Sequence, residues 1–220
     1  MKNALLSSLI AVTLSSLCVA PASAAKFELE PYELVRSFQR IQEEIALGDR
    51  HALGMQKELY KKIRQDLTAF ERDMVWDERN LRAVLVFAIG GGGRSVLRPF
   101  EQSFLDSEKL KDLAIKINSL TKSNAPELLS GIDVQEIGGT LGASVALIRG
   151  LNSAPELAGR VKDLDYVRMT LPGTLHEESA LRGLLVSHRQ SGDRDQFLRI
   201  ASRYARIFGS SPYSVQFANE

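Results

Sequence analysis

The amino-acid sequence predicts an all-α fold of stacked antiparallel helical hairpins, arranged as a right-handed solenoid of the tetratricopeptide type. Helix start and stop signals recur along the chain, and apolar residues between them are spaced three and four apart. No window shows the period-two alternation of strands joined by hairpin turns. A loose repeat supports stacking, since the segment LPGTL at 171–175 returns as SPYSV at 211–215. Whether these segments are true repeats or chance echoes stays open.

Residues 1–24 have the pattern of a cleaved secretory signal, with a positive start, an apolar run and the small-residue cleavage site ASA at 22–24. A retained membrane anchor is the alternative, but the apolar run is shorter than the roughly 20 residues that a spanning helix needs. A lipoprotein is not expected, because Leu17 precedes Cys18 where a small residue would be needed.

The rest of the chain, residues 25–220, is predicted to form one helical-hairpin domain of a periplasmic protein. It contains no cysteine, which excludes a disulfide framework and a thiol nucleophile. The full sequence has 28 basic and 27 acidic residues, and loss of Lys2 with the signal would balance them. Broad electrostatic capture of nucleic acid or anionic lipid is therefore not expected. The expected partner is a protein, with no stable membrane insertion after signal cleavage.

The first hairpin is predicted between residues 28 and 70. Pro31 stands near the first helical position, where its missing N–H costs nothing, and Gly48 ends that helix. Asp49 caps the second helix. The predicted inward residues are Leu34, Val35, Phe38, Ile41 and Ile45 in the first helix and Leu59, Ile63, Leu67 and Phe70 in the second.

Asp77 opens a third helix, which breaks at the four glycines of residues 90–93, because each glycine costs a helix about 0.8–1 kcal/mol. Helix resumes over residues 96–105, and another begins at Asp106 or Ser107. Residues 121–133 are the least regular, with one short helical turn near 124–126. The predicted inward residues are Leu81, Val84, Leu85, Ala88, Leu110, Leu113, Ala114, Ile117 and Leu120.

Four helices complete the chain. The first ends at Gly150 and the second spans residues 153–171; Thr174 and Glu177 form a capping box for the third, which ends at Gly192. Asp193 caps the last helix. The predicted inward residues are Ile137, Leu141, Val145, Ile148, Leu157, Val161, Leu164, Val167, Leu181, Leu184, Leu185, His188, Phe197, Ile200, Ala201, Tyr204, Ala205 and Phe208.

The glycine-rich segment GGGGRS at residues 90–95 has the composition of an anion-binding loop. It lacks the lysine that reaches the phosphates of a P-loop, and it follows a helix, whereas a P-loop links a strand to a helix. The segment is therefore interpreted as a flexible turn. Trp76, at a helix junction, is interpreted as a packing residue, with a partner-binding hot spot as the alternative.

Three histidines, His51, His176 and His188, lack a second histidine or a cysteine at metal-ligand spacing. His188 is expected to be a hydrogen-bonded core residue. No Gly-x-Ser-x-Gly elbow is present, although a triad assembled only in space stays open. The sequence predicts no catalytic, metal-binding or cofactor-binding residue, and no enzymatic activity.

Two pairs of carboxylates could serve acid and base chemistry. They are Glu43 with Glu44 and Asp163 with Asp165. Charged residues at such spacings on amphipathic helices usually form a solvated face, and that interpretation is preferred here.

Several strings occur in one order along the chain. They are PYELVRSFQ at 31–39, IALGD at 45–49, ALGMQ at 52–56, NLRA at 80–83, LPGTLHEE at 171–178, ALR at 180–182, RYAR at 203–206, SPY at 211–213 and QFA at 216–218. In combination they resemble the N-terminal half of the MotC family of rhizobial motility proteins. Family members are considerably longer, and residues 90–93 and 121–133 depart from their pattern.

The resemblance implies a non-enzymatic periplasmic protein required for flagellar rotation, which binds and stabilises the periplasmic part of the stator protein MotB. It implies no partner-binding residues at particular positions. The alternative function is a general periplasmic adaptor with solenoid helices, serving envelope or cell-wall assembly. A hydrolase with a spatially assembled site is a third possibility.

Overall fold

A computed structural model describes residues 29–72 and 74–214, and in these residues the chain is all-α, with no strand. The all-α prediction is confirmed. The predicted signal at residues 1–24, including Cys18, lies outside the described residues. The helices are α1 Pro31–Ala46, α2 Arg50–Ala69, α3 Glu78–Phe87, α4 Glu101–Leu105, α5 Lys111–Asn118, α6 Ala125–Leu128, α7 Val134–Ile137, α8 Gly139–Asn152, α9 Ala158–Thr170, α10 Leu175–Ser191 and α11 Arg194–Phe208. No described helix has both the length and the apolar character needed to cross a bilayer.

Four helices begin at the caps that the sequence predicts. Asp49, Asp77, Thr174 and Asp193 each accept a hydrogen bond from a backbone N–H of the first helical turn. These bonds satisfy amides that have no carbonyl partner within the helix. Helix starts were predictable because a cap acts over only two or three residues of chain.

Between α3 and α4 the chain forms a π-helical turn, Ala88–Gly92, and a 3-10 helix, Arg94–Phe100. Gly91 and Gly93 have φ values of 111° and 79°, a backbone conformation that side chains other than glycine rarely adopt. The predicted break at the four glycines is confirmed.

Two aromatic clusters anchor the N-terminal helices. In the first, the Phe38 ring of α1 lies 5.8 Å from both Tyr60 of α2 and Phe87 of α3. In the second, Trp76 lies 5.0 Å from Phe70 and 5.5 Å from Phe100. Tilted and edge-on ring pairs of this kind add stability beyond the apolar area that they bury.

The C-terminal helices pack in chain order, α8 on α9, α9 on α10 and α10 on α11. Close approach depends on small residues. A Cβ added at Gly183 of α10 would lie 2.7 Å from Leu164 of α9. Beneath this contact the buried guanidinium of Arg160 donates to the carbonyls of Gly150 and Ser153 at 3.1 and 2.8 Å. Arg160 therefore holds the end of α8 to α9.

One hydrophobic core connects both ends of the chain, from Leu34 to Phe208. α1 packs against α2, α3 and α10, and α3 packs against α8. α1 therefore covers part of α10, and α3 covers part of α8. The hairpins are present, but the right-handed tetratricopeptide-type solenoid is not confirmed.

Three predicted details are wrong. Leu157 and Ala205 are exposed. The helix predicted from Ile137 is divided, because Gly138 and Gly139 take positive φ values of 66° and 55° and separate α7 from α8. The helix predicted over residues 153–171 begins only at Ala158, since the bend around Pro155 occupies the residues before it.

Candidate functional site

The three histidines were considered as possible catalytic or metal-binding residues. His51 lies exposed in the first turn of α2, and His188 is half-buried on α10. The ring of His176 lies 3.1 Å, Nε2 to Oγ, from Ser144, and burial lowers the pKa of this histidine to about 4. Ser144 Oγ also donates to the carbonyl of Thr140 at 2.8 Å. The pair is a part-buried contact between α8 and α10, and no carboxylate among the described residues hydrogen-bonds to His176.

Three of the four carboxylates considered for acid and base chemistry, Glu43, Asp163 and Asp165, have basic partners. Asp163 accepts from Nε and Nη2 of Arg149, both at 2.7 Å, in a bidentate pair between α8 and α9. Nη1 of Arg149 donates to the carbonyl of Leu129 at 2.7 Å. Asp165 accepts from Arg168 on the same helix. These carboxylates therefore join helices or neighbouring turns.

Glu43 accepts from Arg36 at 3.0 Å on the exposed face of α1. This surface pair, two helical turns apart, matches the preferred interpretation of a solvated face. Within residues 29–72 and 74–214, no three His, Cys, Asp or Glu side chains lie together in a way that could hold a metal ion.

The glycine-rich turn is fixed by Tyr60, whose hydroxyl donates to the carbonyl of Gly91 at 2.5 Å. Trp76 packs in the second aromatic cluster, as its preferred interpretation predicts, and its backbone N–H donates to Ser103 Oγ at 3.2 Å. Its Nε1 is buried without a hydrogen-bond partner among the described residues.

A buried polar network joins α10 to α11. Glu177, fully buried, accepts from Arg203 Nε and from the Gly173 N–H, each at 2.5 Å. Glu178, also fully buried, accepts from the Tyr204 hydroxyl at 2.8 Å, and this bond together with burial raises the pKa of that tyrosine. Two of the strings quoted above, residues 171–178 and 203–206, thus meet in space.

The predicted capping box is half correct. Thr174 Oγ1 accepts from the Glu177 N–H at 3.3 Å, as expected. The Glu177 carboxylate does not accept a hydrogen bond from the N–H of Thr174. Its two oxygens accept from the N–H of Gly173 and from Nε of Arg203. The guanidinium of Arg203, on another helix, forms a stronger hydrogen bond with this carboxylate than a backbone N–H would. The residue spacing within α10 could not predict a partner on α11.

An open groove lies between α5 and the segment formed by the 3-10 helix and α4; we name it the α4–α5 groove. Its cavity has a volume of about 520 Å³. Buried Leu97, Phe104 and Ala114 contribute its apolar lining. Leu105 and Ile115 also line it, although their side chains are 43% and 54% exposed. Solvent-exposed apolar side chains concentrated at a groove are typical of an interaction site.

Basic residues surround the α4–α5 groove. Arg94, Arg98 and Lys111 are exposed and line it together with one acidic residue, Glu101. None of these four side chains forms an ion pair or a side-chain hydrogen bond with the rest of the described chain. The groove therefore has an excess of unneutralised positive charge.

A second cavity of about 520 Å³ is adjacent to the α4–α5 groove and shares Arg98, Glu101 and Leu105 with it. Met74 and Val75 also line the second cavity, and Val75 is 93% exposed. Exposed apolar side chains therefore line both cavities.

A wider groove of about 1110 Å³ lies between the α6–α7 region and α9. Exposed Leu157 and Met169 line it. Its acidic Asp163 and basic Arg149 are paired with each other. This groove offers apolar surface with less unneutralised charge than the α4–α5 groove.

Sequence reasoning missed the α4–α5 groove. The available signals were Arg94 and Arg98, two basic residues four positions apart, and Ile115, which lies off the apolar stripe of α5. Neither signal indicates that the two segments face each other across a cavity.

Comparison with known proteins gives two matches. The family described as "Chemotaxis protein MotC" matches the chain over residues 1–220. The chemotaxis protein MotC of Rhizobium meliloti (strain 1021) is 33% identical over 206 residues, which cover 87% of this chain and 45% of that protein. The chain thus spans about half the length of the curated relative that it matches. No solved structure matches the chain.

Proposed function

This chain belongs to the MotC family of chemotaxis proteins, and on that premise we propose that it acts in the periplasm to support flagellar rotation by binding and stabilising the periplasmic part of the stator protein MotB. The family match over the whole chain carries the proposal. Its mode of action is non-enzymatic: the chain supplies a binding surface and makes or breaks no covalent bond.

Two structural observations support a binding role. The buried ion pairs join helices, as in Glu177–Arg203 and Arg149–Asp163. Around the α4–α5 groove, Arg94, Arg98 and Lys111 have no partner in the described chain. A rigid helical scaffold that presents an unsatisfied groove suits the recognition of a protein segment.

The proposed location is tested by expressing the full chain with a C-terminal affinity tag in a motile bacterial host. Osmotic shock should release the protein, and intact-mass measurement should show loss of residues 1–24. Recovery of the uncleaved chain from the cytoplasm would contradict a periplasmic role.

The proposed partner is tested by co-purification of the exported chain with the periplasmic domain of MotB, together with gene deletion. We expect the two proteins to elute together, and deletion to abolish swimming and lower the abundance of MotB. Normal swimming with normal MotB abundance would contradict the proposal. Recovery of envelope-assembly enzymes without motor proteins would favour the general adaptor instead.

A further inference from the structure

The α4–α5 groove combines exposed apolar side chains, Leu105 and Ile115, with three unpaired basic ones, Arg94, Arg98 and Lys111. Other arginines show how this protein satisfies guanidinium groups: Arg149 and Arg203 bind carboxylates, and Arg82 donates to the carbonyls of Ile137 and Gly138. Arg94 and Arg98 have no such partner in the described chain. Their charge is therefore available to a ligand.

The shape of the groove favours a segment of polypeptide over a compact small molecule. The groove and the adjacent cavity share Arg98, Glu101 and Leu105, and a different exposed apolar side chain lines each: Ile115 in the groove and Val75 in the second cavity. A chain with apolar side chains at intervals can occupy both cavities at once.

We propose that the α4–α5 groove binds an acidic amphipathic segment of a protein partner. Apolar side chains of that segment pack on Leu105 and Ile115, and its Asp or Glu residues lie against Arg94, Arg98 and Lys111. The inference deepens the function proposed above and rests on it only in requiring a protein partner. Burial of apolar surface supplies affinity, and charge complementarity supplies specificity and a faster association rate.

The first arm of the test uses a designed peptide. A fluorescein-labelled helical peptide has Leu at every third and fourth position and Glu elsewhere, and a matched peptide has Lys in place of Glu. Fluorescence anisotropy with the mature exported protein should show binding of the acidic peptide at least about tenfold tighter than the basic one, weakening as salt screens the charges. Equal affinity for the two peptides would overturn the proposal.

Variants of the groove residues test where the acidic peptide binds. The triple variant R94E/R98E/K111E should weaken acidic-peptide binding by about tenfold or more, and L105S/I115S should also weaken it. The control K57E/K61E/R64E makes the same change in net charge on the exposed face of α2, where these residues make no ion pair in the described chain. It should keep binding within about twofold. Equal loss in the control and the groove variant would overturn the proposal.

Circular dichroism and urea unfolding confirm that each variant is folded; all three groove residues are exposed, so little change is expected. Vesicles of phosphatidylglycerol form a further arm. Binding of vesicles through Arg94, Arg98 and Lys111, without binding of the acidic peptide, would overturn the proposal in favour of an anionic lipid surface.

The last arm separates this inference from the proposed function. If the wild-type chain binds the periplasmic domain of MotB and R94E/R98E/K111E binds it equally, the function stands and the groove proposal fails. If the acidic peptide binds the groove but MotB does not bind the wild-type chain, the groove proposal stands and the MotB partnership fails.

Discussion

The guanidinium of Arg203 on α11 donates through Nε to the fully buried carboxylate of Glu177 on α10 at 2.5 Å. Arg203 itself is one-third exposed, so the pair reaches from the core to solvent. The same carboxylate accepts from the Gly173 N–H at the turn before α10. One side chain thus fixes both the start of α10 and its packing against α11.

Replacing Arg203 by methionine should lower the free energy of unfolding by about 2–3 kcal/mol, because Glu177 would remain buried with one hydrogen-bond donor in place of two. Urea unfolding of the purified protein measures the change. The double variant E177Q/R203M removes the charge as well, and should recover at least about 1 kcal/mol of that loss. The control Arg206→Met, at an exposed position of α11, should change stability by less than about 0.5 kcal/mol. Equal effects of the two single variants would contradict this account.

Stability should fall as pH drops from about 6.5 to about 4, because of His176. Burial lowers the folded-state pKa of His176 to about 4, from the 6.5 that is usual for histidine. Above pH 6.5 both states hold a neutral imidazole; between the two pKa values only the unfolded chain binds the proton, so unfolding becomes more favourable. The contribution reaches about 3 kcal/mol by pH 4.

The measurement is urea unfolding of the wild type and His176→Gln at pH 7 and at pH 4.5, since the carboxylates that also titrate are common to both proteins. The variant should lose less stability on acidification. His51→Gln, which changes an exposed histidine, is the control and should match the wild type. A wild-type pH dependence retained in His176→Gln would exclude this histidine as the cause.

Replacing Arg160 by leucine should destabilise the α8–α9 hairpin by about 2–4 kcal/mol, because the carbonyls of Gly150 and Ser153 would lose their buried donor. Arg160→Lys should not restore full stability, since an ammonium lacks the planar fork that reaches several carbonyls. The matched control is Lys162→Met. Lys162 is exposed and lies two residues, or about half a helical turn, from Arg160, so its replacement should have little effect. Hydrogen exchange should show faster opening of α8 in Arg160→Leu, and unchanged exchange there would contradict the assigned role.

Two glycine-to-alanine substitutions should act in opposite directions. A Cβ at Gly142 of α8 would lie 2.3 Å from the carbonyl oxygen of Val134, so Gly142→Ala should destabilise by about 1–3 kcal/mol. At Gly54 of α2 a Cβ meets nothing within 4 Å, so Gly54→Ala should stabilise by about 0.5–1 kcal/mol. Thermal unfolding of both variants in parallel checks the pair. A Gly142→Ala protein as stable as the wild type would show that α7 can move away from α8.

Local signals predicted much of the fold. Asp49, Asp77, Thr174 and Asp193 cap the helices that they were predicted to begin, and the break at residues 90–93 occurs where the glycines require it. Leu157 was misplaced because it fits the helical spacing but lies in the turn before α9. Amphipathic spacing indicates a face, and only the neighbouring elements decide whether that face is covered.

The sequence by itself determined the all-α class and the starts of four helices, because caps, glycine breaks and apolar spacing act within a few residues of chain. The order of its matching strings indicated the family. Tertiary structure alone decided that Glu177 accepts a hydrogen bond from Arg203, that α1 packs on α10 and α3 on α8, and that Arg94 and Lys111 line one cavity. These relationships join residues far apart in the chain, and their geometry depends on how whole helices pack.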